Sequence, residues 1–188
     1  MKTRCSWCVG NEIYEHYHDS QWGVAVHDDR ELYEMLILEG AQAGLSWITV
    51  LQKRENYRKL FANFDYLKIA RFTDKKLEKI LENPGIIRNR LKVFSARTNA
   101  RLFQDVQSEF GSFDAYIWQF VDGETIQYKF KTMKQVPAST SESDAMSKDL
   151  KKRGFKFIGT TICYAYMQAV GMVNDHTTDC FRHAELTK

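Results

Sequence analysis

Proline and cysteine are scarce in this chain, and it contains no internal repeat, no alternating strand series and no long apolar run. Only two prolines, Pro84 and Pro137, interrupt 188 residues, so few positions forbid helix on steric grounds. Four cysteines behind an N-terminus without an apolar leader make a disulfide scaffold a poor reading. No stretch approaches the roughly 18 apolar residues of a membrane span, so no membrane partner is expected and the chain reads as cytoplasmic. A hydrophobic fraction of 44% supplies ample core material and argues against disorder, and the length suits one domain.

What is present is mostly helical patterning. Asp28 or Asp29 can cap a helix through Leu32, Met35, Leu36 and Glu39, which the glycine-flanked stretch 40–44 should break. A helix from Ser46 to Phe61 is expected next, then short helices starting at Asp65 and at Thr73, the latter stopped by Asn83-Pro84-Gly85. Further helices are expected over Arg88–Phe103 and Ser112–Val121, with a turn at Asp122-Gly123. Residues 124–140 are the least regular part, with at best a short strand in Ile126–Phe130. Ser141-x-x-Asp144 resembles a capping box for a helix ending near Gly154. The final predicted helix, Thr160–Val170, is apolar on several faces. The predicted class is all-α.

Net charge is only +3, but the cations cluster: Arg88, Arg90, Lys92, Arg97 and Arg101 form one group, Lys148, Lys151, Lys152, Arg153 and Lys156 another. Such patches attract phosphates, although each run taken alone reads more simply as a solvated helix face. The first group follows two helices joined at Pro84-Gly85-Ile86-Ile87. A helix–hairpin–helix module uses that arrangement to offer backbone N–H groups and a helix N-terminus to DNA phosphates, while any αα-hairpin with a glycine at its turn looks similar.

Two pairs of metal-ligand side chains lie at opposite ends of the chain. His176-Thr177-Thr178-Asp179-Cys180 has a spacing at which a single helical turn lets both side chains reach one ion, and Cys5 and His18 offer a thiolate and an imidazole. Four such ligands suit a structural zinc that staples the termini. Cys5-x2-Cys8 can equally be read as a redox pair, and Cys8 and His16 each stand close enough to replace a neighbouring ligand.

Glu39, followed by Gly40 and then by Gln42-Ala43-Gly44-Leu45-Ser46-Trp47, places an acid beside a polar loop and a tryptophan. A carboxylate and an aromatic face together suit a cationic planar ligand, and Leu45 on a glycine-flanked loop suits a wedge between stacked bases. In isolation a solvated Glu39 and a core Leu45 would be the simpler reading.

Longer motifs decide among these options. Tyr14-x2-Tyr17-His18-Asp19-x2-Trp22-Gly23, Leu38-Glu39-Gly40, the loop just quoted and Lys53-Arg54-Glu55-x-Tyr57 closely resemble the bacterial DNA-3-methyladenine glycosylase I family. So do Gly85-Ile86-Ile87-Arg88, Ser143-Asp144-Ala145-x-Ser147-Lys148-x-Leu150, Gly154-Phe155-Lys156-Phe157-x-Gly159 and Asn174-Asp175-His176-x3-Cys180, so that the likeness runs in order over about residues 4–180. The resemblance implies an all-α helix–hairpin–helix DNA glycosylase fold. It implies a single unit over 1–188, with a helical core at about 28–172 and termini at about 1–24 and 173–188 stapled by one structural Zn2+. The implied zinc ligands are Cys5, His18, His176 and Cys180, with Cys8 outside the set. Base recognition is implied for Glu39, with a possible catalytic share, and for Tyr17 and Trp47, walled by Tyr14, Trp7 and Trp22. Gln42, Gly44 and Leu45 correspond to the DNA-inserting loop, and Gly85, Ile86, Arg88 and Arg90 to the hairpin.

The implied reaction is hydrolytic excision of N3-methyladenine flipped out of double-stranded alkylated DNA. Alkylation at N3 makes the base cationic, so it leaves as a neutral molecule and needs little help from an acid. Without a lysine placed as a Schiff-base nucleophile, no strand cleavage is expected; the chain should act as a monomer, with no diffusible cofactor. Two alternatives remain at this stage: a zinc-stapled DNA-binding module without activity, which leaves Glu39 and its aromatics unexplained, and a thiol redox protein using Cys5 and Cys8.

Overall fold

Asp28 closes the first turn of the helix on which the rest of the chain is built. In this computed structural model, which describes residues 2–187, its carboxylate accepts from the N–H groups of Arg30 and Glu31. An earlier helix, α1 (Glu12–Ser20), is capped in the same way by Asn11; no helix was expected there. α2 spans Asp29–Gln42 and is buried from Leu32 to Ala41. The expected break within 40–44 falls at Ala43, past Gly40, which remains helical. Gly40 also lets Phe157 pack close to the helix: a Cβ there would stand 3.1 Å from Cβ of Phe157.

The predicted Ser46–Phe61 helix divides into α3 (Trp47–Leu51) and α4 (Arg54–Leu60). α5 (Tyr66–Ile69) and α6 (Asp74–Leu81) begin at Asp65 and Thr73, whose side chains cap them. α7 (Arg90–Phe110) outruns the expected Phe103 by seven residues, burying Val106 on its added turns and ending only at Gly111. α8 (Phe113–Trp118) receives a second cap from α2, since Asp29 accepts from the N–H groups of Phe113 (3.0 Å) and Asp114 (2.8 Å). α9 (Ser141–Lys152) is entered through a capping box, one residue earlier than predicted, on Thr140 and Ser143. α10 (Thr160–Ala169) and α11 (Phe181–Leu186) complete the helices, and α11 was not foreseen.

Helices α7, α8, α10 and α3 pack around α2. Stacked rings of Phe103 and Phe113, 4.0 Å between centroids, and the Tyr33 hydroxyl donating to Ala96 O at 2.7 Å lock α7 and α8 against it. One exception to the all-α pattern ties the middle of the chain to its C-terminal segment: β1 (Ile126–Gln127) pairs in parallel with β2 (Val173–Asn174), Ile126 opposite Val173. The irregular 124–140 segment is thereby tied to the C-terminal loop, where Thr178 N–H also donates to Phe130 O at 2.8 Å. Among the described residues no helix is long and apolar enough to cross a membrane.

Candidate functional site

Glu39 lies in the last turn of α2, beside residues of α1, α3 and α10 that share a cavity with it. Its carboxylate is 4% exposed and has no ion-pair partner among the described residues, and burial pushes its pKa up to about 8. Oε2 is buried without a hydrogen-bond partner. A lone buried carboxylate is costly, so this position favours either a proton on Glu39 or a cation beside it. The carboxylate borders a cavity of about 190 Å³ lined by Trp7, Tyr17, Trp22, Glu39, Gln42, Trp47, Met133, Ala165 and Gln168. That is below the roughly 300–1,000 Å³ of sites for drug-sized ligands, and the walls are largely flat rings.

Those rings brace one another. Tyr17 from α1 lies 5.5 Å from Trp47, and Trp7 meets Trp22 edge-on at 5.2 Å. The indole N–H groups of Trp7 and Trp47 are both buried without an acceptor, so donors as well as an acceptor stand unpaired around this space. The Tyr17 phenol is held well above its ordinary pKa, first by burial and then by the nearby Glu39, and stays protonated. Tyr14 lies outside the lining: its ring packs edge-on against Trp7 at 5.2 Å, and its hydroxyl accepts from Ile48 N–H at 2.8 Å, which ties α3 to α1. Met133, Ala165 and Gln168 had no signal in the sequence. Gln168 donates to Asp175 at 2.7 Å, as does Tyr164 at 2.6 Å, so the Asn174-Asp175-His176 motif also steadies one wall.

The loop after α2 divides its expected residues. Gln42 joins the lining, while Gly44 and Leu45 (43% exposed) project outward. The hairpin 84–89 is pinned from α4 and the residue before it: Lys53 Nζ donates to Pro84 O at 2.8 Å, and Ile87 N–H donates to Tyr57 Oη at 3.1 Å. Gly85 N–H is used by Asn83 Oδ1 at 2.7 Å, and the Ile86 side chain is core at 2% exposure. The hairpin amides with no acceptor among the described residues are those of Arg88, Arg90 and Leu91, at the start of α7. Arg88 is exposed, whereas Arg90 pairs with Glu78 and covers the Phe94 ring at 4.2 Å. The basic run is otherwise partly structural. Lys92, Arg97 and Arg101 donate to backbone carbonyls of Ala43 (2.6 Å), Phe72 (2.8 Å) and Ala70 (2.9 Å).

Cys5, His18, His176 and Cys180 converge. Their ligand atoms all lie within 4.8 Å of one another, and all four residues are buried. His176 Nδ1 is 3.6 Å from Cys5 Sγ and 3.5 Å from Cys180 Sγ, and His18 Nε2 is 3.4 Å from Cys180 Sγ. The edges of a zinc tetrahedron with two sulfurs and two nitrogens are about 3.3–3.8 Å, from the usual bond lengths. The outer ring nitrogens are already committed: His18 Nδ1 donates to Asp19 at 2.8 Å and His176 Nε2 to Trp22 O at 3.0 Å. Both inner nitrogens then turn lone pairs toward each other at 3.1 Å, an arrangement that a shared cation relieves. Among these thiols Cys180 is held below its ordinary value, chiefly by the hydrogen bond from Cys5 and then by His176 and His18. Residues 176–180 form a turn ahead of α11, not the helical turn that their spacing suggested. Cys8 points away, donating to Cys5 O at 3.2 Å, and His16 is exposed, so neither joins the cluster.

The sequence and fold have close counterparts. A family model for methyladenine glycosylase matches residues 7–183. The chain is 48% identical to DNA-3-methyladenine glycosylase 1 of Escherichia coli (strain K12), over 94% of this chain and 95% of that protein. A crystal structure of 3-methyladenine DNA glycosylase I superposes with a TM-score of 0.93 at 50% identity, covering 95% of this chain and 98% of that one. A structure describing 3-methyladenine recognition by the Staphylococcus aureus 3-methyladenine DNA glycosylase I gives a TM-score of 0.92 at 30% identity, with 95% of each chain covered.

Proposed function

This chain belongs to the methyladenine glycosylase family, and from that premise we propose that it excises 3-methyladenine from alkylated double-stranded DNA by hydrolysis. The observation that carries the reading is the buried, unpartnered Oε2 of Glu39 beside a cavity walled by Trp7, Tyr17, Trp22 and Trp47. A cationic purine supplies what this carboxylate lacks. Its exocyclic amino group can donate to Glu39 where guanine would present a carbonyl, and its charge is favoured by the aromatic faces by about 0.5–2 kcal/mol each. Normal adenine gains the hydrogen bond without the charge, so binding is selective for the damaged base.

Catalysis on this reading is mainly capture and positioning. Tyr17 and Trp47 sandwich or edge the flipped base, Glu39 neutralises and orients it, and the C1′–N bond breaks with the base leaving as a neutral molecule; water adds to the C1′ cation and gives up a proton to solvent, leaving a C1′–OH. Gly44 and Leu45 enter the gap in the duplex, and the free amides of Arg88, Arg90 and Leu91, with the Arg88 side chain, hold phosphate at the N-terminus of α7. Gly85 and Ile86 then act by shaping the hairpin. The four converging ligands fit one structural Zn2+, which when bound cross-links the terminal segments and takes no part in the reaction. One glycosylase unit spans residues 1–188, acting as a cytoplasmic monomer without strand cleavage.

Incubating the protein with N-methylated duplex DNA and assaying the released base tests this directly. Free 3-methyladenine is expected from the native chain. DNA binding without any released base would leave only the binding-module alternative.

A further inference from the structure

Lys92 joins two elements that touch DNA on the reading above. Its backbone N–H is held by the Asn89 side chain at 3.1 Å, in the first turn of α7 at the hairpin. Its ammonium donates to Ala41 O at 2.8 Å and to Ala43 O at 2.6 Å, across to the far end of α2. That end of α2 has no basic residue in its last turn. A helix C-terminus carries partial negative charge and carbonyls without intrahelical donors, and here a cation from another helix supplies both needs. Ala41 follows Glu39 by two residues, and Ala43 opens the loop whose exposed tip is Leu45, itself turned by Leu45 N–H donating to Gln42 O at 2.6 Å. The ammonium is partly desolvated, and burial draws it below the usual lysine value.

We propose that Lys92 is a positioning residue that locks the loop 43–46 to the first turn of α7, so that a duplex gripped at the hairpin meets Leu45 in fixed register with the Glu39 cavity. The proposal rests on the assignment of loop and hairpin as DNA contacts. It separates two properties that a general packing role would move together: affinity for the free base, set by the cavity walls, and insertion into DNA, set by the loop.

Lys92→Met keeps the stem and removes the charge and donors; Lys92→Arg keeps both. Three measurements distinguish the roles: the dissociation constant of free 3-methyladenine, single-turnover excision from methylated duplex, and the brightening of 2-aminopurine placed beside an abasic analogue in a duplex. For Lys92→Met, excision should fall about tenfold or more, through the loss of the charge-assisted hydrogen bonds to Ala41 O and Ala43 O. The brightening should be lost, free-base affinity should stay at the native value, and Lys92→Arg should restore most of the excision. Unchanged excision in Lys92→Met overturns the proposal, as does a loss of free-base affinity equal to the loss of excision. Leu45→Ala supplies the separate control. If Leu45→Ala excises like the native chain, the loop assignment fails and takes this inference with it. If Leu45→Ala loses the brightening while Lys92→Met keeps it, only the role of Lys92 fails.

Discussion

At the scale of single residues, Glu39 and Asp175 are both buried without an ion-pair partner among the described residues, but Asp175 accepts from Tyr164 and Gln168 while Glu39 Oε2 has no donor. Burial raises the Glu39 pKa from 4.5 to about 8. Between those values the unfolded chain has lost this proton and the folded chain keeps it, so the contribution of Glu39 to stability falls as pH rises from about 4.5 to 8 and stays low above that. Glu39→Gln removes the penalty. Its melting temperature should rise relative to the native protein across that window, with little difference at pH 4, as paired thermal melts will show. Activity should move the other way. The carboxylate must be ionised to meet a cationic base, so kcat/KM for excision should climb toward a plateau above about pH 8, and the Gln variant should lack that limb. A native profile flat from pH 5 to 9 would remove Glu39 from charge recognition.

At the scale of elements, a close approach of backbones holds the pocket wall in place. Gly171, just after α10, has φ +74°, and a Cβ there would lie 2.3 Å from the carbonyl carbon of Val24. The segment after α1 is laid along this turn by Gly23 N–H donating to Gln168 O and Val26 N–H to Val170 O, each at 3.0 Å. Gly171→Ala should therefore cost about 3 kcal/mol or more, combining left-handed strain with backbone overlap, as urea unfolding will measure. Because Gln168 and Trp22 flank this junction and both line the cavity, the variant should also weaken free-base binding. The helices themselves were largely legible. Asp28, Asp65, Thr73 and Ser112 announce helix starts through their own side chains, and local chemistry of that kind needs no partner. The departures arose where distant neighbours decide: the expected Ser46–Phe61 helix breaks between α3 and α4, with Trp47 lining the cavity and Tyr57 Oη accepting from Ile87 of the hairpin.

At the scale of the whole molecule, the Cys5–His18–His176–Cys180 cluster joins the two ends of the chain, and the parallel β1–β2 pair adds a second tie between residues 126 and 173. The purified protein should carry one zinc per chain by elemental analysis. Removing it with a chelator should lower the melting temperature by at least about 4–8 °C, the shift that ~2 kcal/mol produces in a chain of this size. An unchanged melt after complete removal would refute the staple. What the sequence determined by itself was whatever a residue expresses through its near neighbours: helix caps, apolar spacing, and motifs long enough to be recognised in order. Only tertiary structure decided that Gln42 faces the cavity and Tyr14 does not, that Met133, Ala165 and Gln168 complete its walls, and that Lys92 serves the end of another helix. Those facts depend on contacts between residues dozens of positions apart, and side-chain direction at such range is set by packing, which no local pattern encodes.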